Sequence, residues 1–276
     1  MTLGHHGGHH GGHYGGRRGG RWRDRPGKAL TVTTAVVLGV LIALLLADTV
    51  LASRIEGKIS RSAYVGDALA YPPDAYVAGF PFSLALLTGT VPRVSVSTLD
   101  APVEGLGVVN ATAEAFEIST TPAHILRADF TGDEALAVRR TIRLDGVAFG
   151  ELLGMTDLDI SNPYDISPAG GPASEAHLTG TVPGTSAPST VVVTLRMEGP
   201  TFVMKPSILL DAPAGAEDAV LSAFTLERDT RDLPLGGPAG LVQVSGGSIE
   251  FSRDRINVTL GADDLTPLAP VTATQG

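Results

Sequence analysis

Val77-Ala-Gly-Phe-Pro-Phe-Ser-Leu-Ala-Leu-Leu-Thr-Gly89 sets two phenylalanines around a proline, straight after a glycine, and follows them with a short apolar run. Gly79 lets the backbone turn after a short strand over residues 76–78. Pro81 suits the first position of a helix, where its missing N–H would be unpaired in any case. Phe82, Leu86 and Leu87 fall on one side at i, i+4 and i+5, and Gly89 is placed to end the helix in a left-handed conformation. A short helix packed on a sheet is the simplest reading of this stretch.

Working outward, residues 49–69 carry Leu51, Ile55, Ile59 and Ala63 at i+4 steps, with Arg54, Glu56, Lys58 and Arg61 off that line. This is the pattern of an amphipathic helix, and Tyr71-Pro-Pro-Asp74 breaks it. From Val91 onward the pattern is β. Val94, Val96 and Thr98 alternate with Ser95, Ser97 and Leu99, and a second long strand is expected over residues 105–119. Thr121 and Pro122 repeat the opening device of cap and first-turn proline, ahead of Ile125 and Leu126. A strand over residues 136–144 follows. Asp145 is then placed to cap a third short helix, 147–153, with Phe149, Leu152 and Leu153 as its stripe and Gly154 as its stop. Further strands are expected at 158–166, 177–182, 190–198 and 202–210, with a Pro/Gly/Ala/Ser loop at 167–174. Pro206 makes the 202–210 strand an edge or breaks it. A helix over 217–224 comes next, then a hairpin of 247–252 and 255–260 turning at Arg253-Asp254. Residues 265–276, with two prolines and small polar side chains, read as a loose tail. Long antiparallel strands, one amphipathic helix and several short apolar helices make an α+β domain with one strongly curved sheet.

The N-terminal end differs in kind. Residues 1–28 are rich in His, Gly and Arg and have nothing to bury, so they are expected to be a disordered tail. His5, His6, His9, His10 and His13 are of a type that binds transition metals, but a solvated low-complexity tail accounts for them. Residues 29–47 are uncharged and rich in Val and Leu. At about 1.5 Å per residue they reach about 28 Å, enough to cross the hydrocarbon core of a bilayer. Six basic residues precede the run, so the N-terminus is expected in the cytoplasm and the bulk of the chain on the outer side of the cell membrane, as a single-pass protein. Val50-Leu51-Ala52 offers a signal peptidase small residues, whereas the length of the run favours an uncleaved anchor. Residues 1–52 hold six basic and two acidic side chains, net +4, which leaves −13 for the other 224 of a chain whose net charge is −9. A domain so acidic is unsuited to nucleic acid and has no broad basic surface for anionic lipid.

The chemistry of catalysis is thin. The chain has no cysteine, and beyond the tail only His124 and His177. His124 stands in a short apolar helix and His177 on a strand, where surface or hydrogen-bonded roles are expected rather than those of a base. No Gly-x-Ser-x-Gly, Walker-type or Rossmann-type glycine pattern occurs, and Gly-Gly-Pro at 170–172 and 236–238 reads as loop. Asp263-Asp264 and Glu217-Asp218 lack the loop spacing of a calcium site and read as solvated acids. No cofactor or metal is expected, nor an enzyme.

Phe-Pro-Phe at the end of a short strand, then Leu-Leu-x-Gly, then the Val94/Val96 strand, resembles the LmeA-family phospholipid-binding proteins of actinobacterial envelopes. The resemblance runs from about Leu51 to Leu268 and is strongest at Val77–Leu99 and in the final hairpin. Ser83-Leu84-Ala85 departs from it, since family members often carry polar residues there. It implies a tubular lipid-binding-like fold over residues 49–268 with a flexible tail at 269–276. It further implies a phosphatidylinositol-type ligand, the plasma membrane as surroundings, and a role beside envelope glycosyltransferases that build mannan-containing glycolipids. The residues then expected at the lipid are Phe80, Phe82, Leu86, Leu87, Phe116, Phe149, Leu152, Leu153, Phe202 and Phe224. Within the opening stretch, Phe82 and Leu86 share a face and are expected to line the groove. Phe80, and Leu87, turned about 100° from Leu86, are expected in the core. Two other readings stand beside this one: a non-catalytic scaffold that recruits glycosyltransferases without a lipid groove, and an enzyme working with Asp and Glu alone.

Overall fold

The computed structural model describes residues 26–64, 69, 71–163 and 174–269. The histidine-rich tail at 1–25, most of the 167–174 loop and the tail at 270–276 lie outside the described residues. The first helix, α1 (Pro26–Ala63), contains the apolar run, and among the described residues it is the one helix long and apolar enough to cross a membrane. The chain divides into residues 1–44 and residues 45–276. From Thr31 to Ala47 every side chain is exposed.

In the second unit, from Ile55 on, α1 buries the stripe read from sequence. Ile55, Ile59 and Ala63 are buried and Leu51 is half-buried. The strand β1 (Asp74–Ala78) and the helix α2 (Ser83–Thr88) lead into β2 (Thr90–Val103) and β3 (Gly107–Ser119). The helix α3 (Pro122–Arg127) joins β3 to β4 (Glu134–Leu144), and α4 (Gly146–Leu153) follows. Pro81, expected at the first helical position, is corrected: it lies before Phe82, the N-cap of α2, and its carbonyl accepts Leu84 N–H, whereas the other expected caps are present. Gly89 and Gly154 close α2 and α4 in the left-handed conformation, and Thr121 and Asp145 accept the amide protons of His124 and Ala148. The remainder is β5 (Asp159–Ser161), β6 (Glu175–Gly180), β7 (Ser189–Glu198), β8 (Thr201–Asp211), α5 (Glu217–Ala223), β9 (Leu226–Asp229), β10 (Leu241–Ser245) and β11 (Ser248–Thr259).

The fold is α+β: an apolar helix, then antiparallel sheets with a few short helices. The expected single sheet is corrected to two. One has the order β1-β2-β3-β4-β11-β10 and the other β5-β6-β7-β8-β9. The division follows from β11, which pairs along β4 from Ile249 to Thr259 and fills its free edge. The chain after α4 therefore has no place left there and builds its own layer. The hairpin expected at Arg253-Asp254 is also corrected. Both residues lie inside the continuous strand β11, opposite Arg140 and Arg139. The actual turn is Gly246-Gly247, both at positive φ, between β10 and β11, as a two-residue hairpin loop requires. Pro206 does sit where β8 has an unshared edge. β9 pairs only with Thr201–Met204, and the β7–β8 register shifts between Val192 and Val193, next to Pro206.

Two apolar cores result. The larger lies between the sheets and joins Ile142, Leu144, Ile249 and Phe251 to Leu178, Val193, Leu195 and Met204, with Phe149 of α4 and Phe224 beyond α5. Phe202 stands edge-on to both Phe149 and Phe251 within it, with ring centroids 6.3 and 5.0 Å away. The smaller core gathers Ile55, Ile59 and Ala63 of α1 with Phe82, Ala85, Val94, Ile118, Ile125 and Leu260. Both rest on one face of the first sheet. The row Ala113–Arg140–Arg253 separates them, Ala113 being small enough to leave Arg140 room.

Candidate functional site

Two clefts adjoin the last turn of α1. The more apolar, about 460 Å³, is walled by Ala63, Leu69, Pro102, Val103, Pro234, Pro267, Leu268 and Ala269, with Glu104, Asp263 and Thr266 as its polar members. Its volume falls within the roughly 300–1,000 Å³ of small-molecule sites. The other, about 330 Å³, is bounded by Ile59, Ala63, Phe130, Leu260 and Leu265 on its apolar side and by Ser62, Arg127, Asp129 and Thr131 on its polar side. Ala63 and Thr266 line both. The arrangement provides apolar wall, a few hydroxyls and carboxylates, and one exposed guanidinium.

The segment 260–269, which forms a wall of each cleft, is held by the arginine row beneath it. Arg140 donates to the carbonyls of Asp263 (2.5 Å), Thr266 (3.3 Å) and Leu235 (3.5 Å). Arg255 pairs with the carboxylate of Asp264, and Arg253 donates to the carbonyl of Gly236. Gly236 and Gly237 are required here: both have positive φ, and a Cβ at either would press on Arg140 or Arg253. Burial lowers the Arg140 guanidinium from its ordinary value, the charges of Arg255 and Arg253 lower it further, and Asp264 opposes them. Ala269 N–H reaches the carbonyl of Pro234, which ties residue 269 to the body of the unit. The loose tail expected from residue 265 is therefore corrected for 265–269. Asp264, read as a solvated acid, is buried.

None of the residues expected at the lipid lines either cleft. Phe149, Phe202 and Phe224 are interior to the larger core. The space left among Leu106, Phe149, Phe202 and Phe251 is about 10 Å³, the size of one water rather than of a ligand. Leu152 and Leu153 are half-buried against the same core, and Phe116 is half-buried on the outer face of β3. The division within the opening stretch is reversed. Phe82 is core, at 2% exposure, and Leu86 packs against the same core, whereas Phe80 and Leu87 are 76% and 84% exposed. The cause lies on α1. The Asp48 carboxylate accepts the N–H groups of Phe82 (2.8 Å) and Ser83 (2.6 Å), which fixes the start of α2 and turns Phe82 and Ala85 inward. Burial raises the Asp48 carboxyl, but these hydrogen bonds outweigh it and hold it below its ordinary value.

Sequence reasoning missed the cleft walls because they come from the last residues of β2, Pro102 and Val103, and from loops: Glu104, Pro234 and residues 260–269. The one available signal was the apolar pair Leu265 and Leu268 among the tail's prolines. Arg139 and Arg143 do not form a free basic surface. They pair across the outer face of the first sheet with Asp254 and Glu250, the former through two bonds of 2.8 and 2.7 Å.

His124 donates or accepts at Nδ1 against Asp133 (2.8 Å), and Thr120 also donates to Asp133, which makes His124 a hydrogen-bonded residue as expected. His177 stands 3.4 Å from Ser161 Oγ. Among the described residues, no group of three or more His, Asp or Glu side chains gathers where a metal ion would sit.

Comparison with known proteins gives one match. The family model described as LmeA-like phospholipid-binding covers residues 42–252, which is most of the chain. No curated protein and no solved structure matches it.

Proposed function

The chain belongs to the LmeA-like phospholipid-binding family, and we propose that its β-rich unit holds a single phospholipid in the clefts beside the last turn of α1. The acyl part lies along Ala63, Leu69, Val103, Pro267 and Leu268. The phosphate faces Ser62, Arg127 and Thr131 in the adjoining cleft. The observation that carries this reading is the 460 Å³ apolar cleft itself, in a protein of a phospholipid-binding family. Burial of acyl chain contributes about 0.8 kcal/mol per CH₂, so apolar contact supplies most of the affinity.

The finer elements of the reading are these. Residues 29–47 anchor the chain in the plasma membrane with the N-terminus in the cytoplasm and residues 49–268 outside, as the basic residues before the run favour. The lipid is of the phosphatidylinositol type, whose ring hydroxyls suit Asp129, in the cleft of the phosphate, as an acceptor. The protein is not an enzyme but supplies or presents lipid for the assembly of mannan-containing lipoglycans, beside envelope glycosyltransferases.

Extraction of a labelled phosphatidylinositol from vesicles tests this reading. The expected result is uptake of about one lipid per chain, changing little between low and moderate salt, because the net −13 of the chain beyond residue 52 leaves apolar burial as the main force. Uptake that disappears in moderate salt contradicts apolar retention, and no uptake at any salt supports the scaffold instead.

A further inference from the structure

Residues 75–92 form an uncharged stretch of the β-rich unit, and although Phe82 turns into the core, three of its large apolar side chains turn away from it. Phe80, just before α2, and Leu84 and Leu87 on it are all exposed, and α2 has neither an acidic nor a basic residue. An exposed group of this kind marks a contact surface, and its chemistry fits hydrocarbon. Its position is fixed from α1. The carboxylate that receives the N–H groups of Phe82 and Ser83 belongs to Asp48, the residue directly after the apolar run 29–47. With a rise of about 1.5 Å per residue, that carboxylate is within about 2 Å of the end of the run along the helix. Next to the exposed group, Tyr76 is half exposed and carries the Arg93 guanidinium 5.9 Å from its ring centre. A tyrosine beside a cation is the pairing that suits the border between head groups and hydrocarbon.

We propose that α2 is a second membrane contact: Phe80, Leu84 and Leu87 dip into the outer leaflet beside the point where α1 leaves it, with Tyr76 and Arg93 at the head-group level. The occupant of this surface is the bilayer itself. The proposal rests on the anchoring of residues 29–47 put forward above, and gives the unit two points of attachment, so that its height and tilt over the membrane are set. Ala63, which lines both clefts, is fifteen residues beyond Asp48 and therefore about 22 Å further along α1. A lipid held there has left the leaflet, which makes the protein a carrier or presenter of lipid rather than a clamp on lipid still in the bilayer.

The chain has no cysteine, so single nitroxide labels are introduced cleanly at Leu87→Cys, Phe80→Cys and Leu41→Cys in the full chain reconstituted into phosphatidylcholine vesicles. All three positions are exposed, so the fold is retained. Collision rates with oxygen and with a water-soluble nickel chelate then report immersion. The expected result is oxygen collisions dominating at Leu87 and Phe80, as at Leu41. A label at Leu87 or Phe80 that collides mainly with the nickel chelate, while Leu41 remains immersed, overturns the second contact and leaves the anchor standing. A nickel-accessible Leu41 overturns the anchor, and the proposal with it.

Discussion

Phe82→Ala is expected to cost the domain about 3–5 kcal/mol in denaturant unfolding, while Phe80→Ala and Leu87→Ala each move stability by less than about 0.5 kcal/mol. The three residues lie within eight positions of one another and differ only in what they face. Phe82 fills the smaller core against Ile55, Val94 and Ile118, so its removal leaves a cavity that the sheet on one side and α1 on the other cannot close. Phe80 and Leu87 touch little that would be lost. Equal losses for all three variants would mean that α2 packs with its other face inward, and would remove the exposed group on which the second membrane contact depends.

Leu268→Asp is expected to weaken lipid uptake roughly ten- to a hundred-fold with the domain still folded. A leucine buried against an acyl chain contributes about 1.5–3 kcal/mol, and each 1.4 kcal/mol is a factor of ten in affinity. The substitution further places a carboxylate where hydrocarbon must lie. Leu268 is only half-buried, at the margin of the larger core, so the substitution also lowers the melting temperature, and uptake is compared at a temperature where the variant is folded. Val103→Asp, at the end of β2 on the same cleft, provides an independent reading of the same loss. Unchanged uptake in both variants would place the lipid elsewhere.

Local patterns in the sequence reached the elements well and their assembly less well. The stop of α2 and the caps that open α3 and α4 were legible because each depends on one residue with a fixed backbone or hydrogen-bonding role: Gly89, Thr121 and Asp145. The buried stripe of α1 was legible because Ile55, Ile59 and Ala63 repeat at the helical period. Periodicity likewise placed Phe82 and Leu86 on one face, but it does not say whether that face meets core or ligand. That was decided by Asp48, thirty-four residues earlier. Charged residues misled in the same way. Arg253-Asp254 has the polarity of a turn, yet each finds its partner on a neighbouring segment, and the strand continues through them. The cleft was the least legible part, because its walls are mostly loops held by carbonyl groups that Arg140 collects from three distant positions. Backbone acceptors leave no mark on residue type.

The central claim is that one phospholipid occupies the unit beside the last turn of α1. Native mass spectrometry of the full chain, released from membranes in mild detergent, tests it most directly. The account predicts a second charge-state series heavier by the mass of one phospholipid, retained in moderate salt and lost in Leu268→Asp. A single series at the mass of the bare chain, from protein whose unfolding transition shows it to be native, would contradict it.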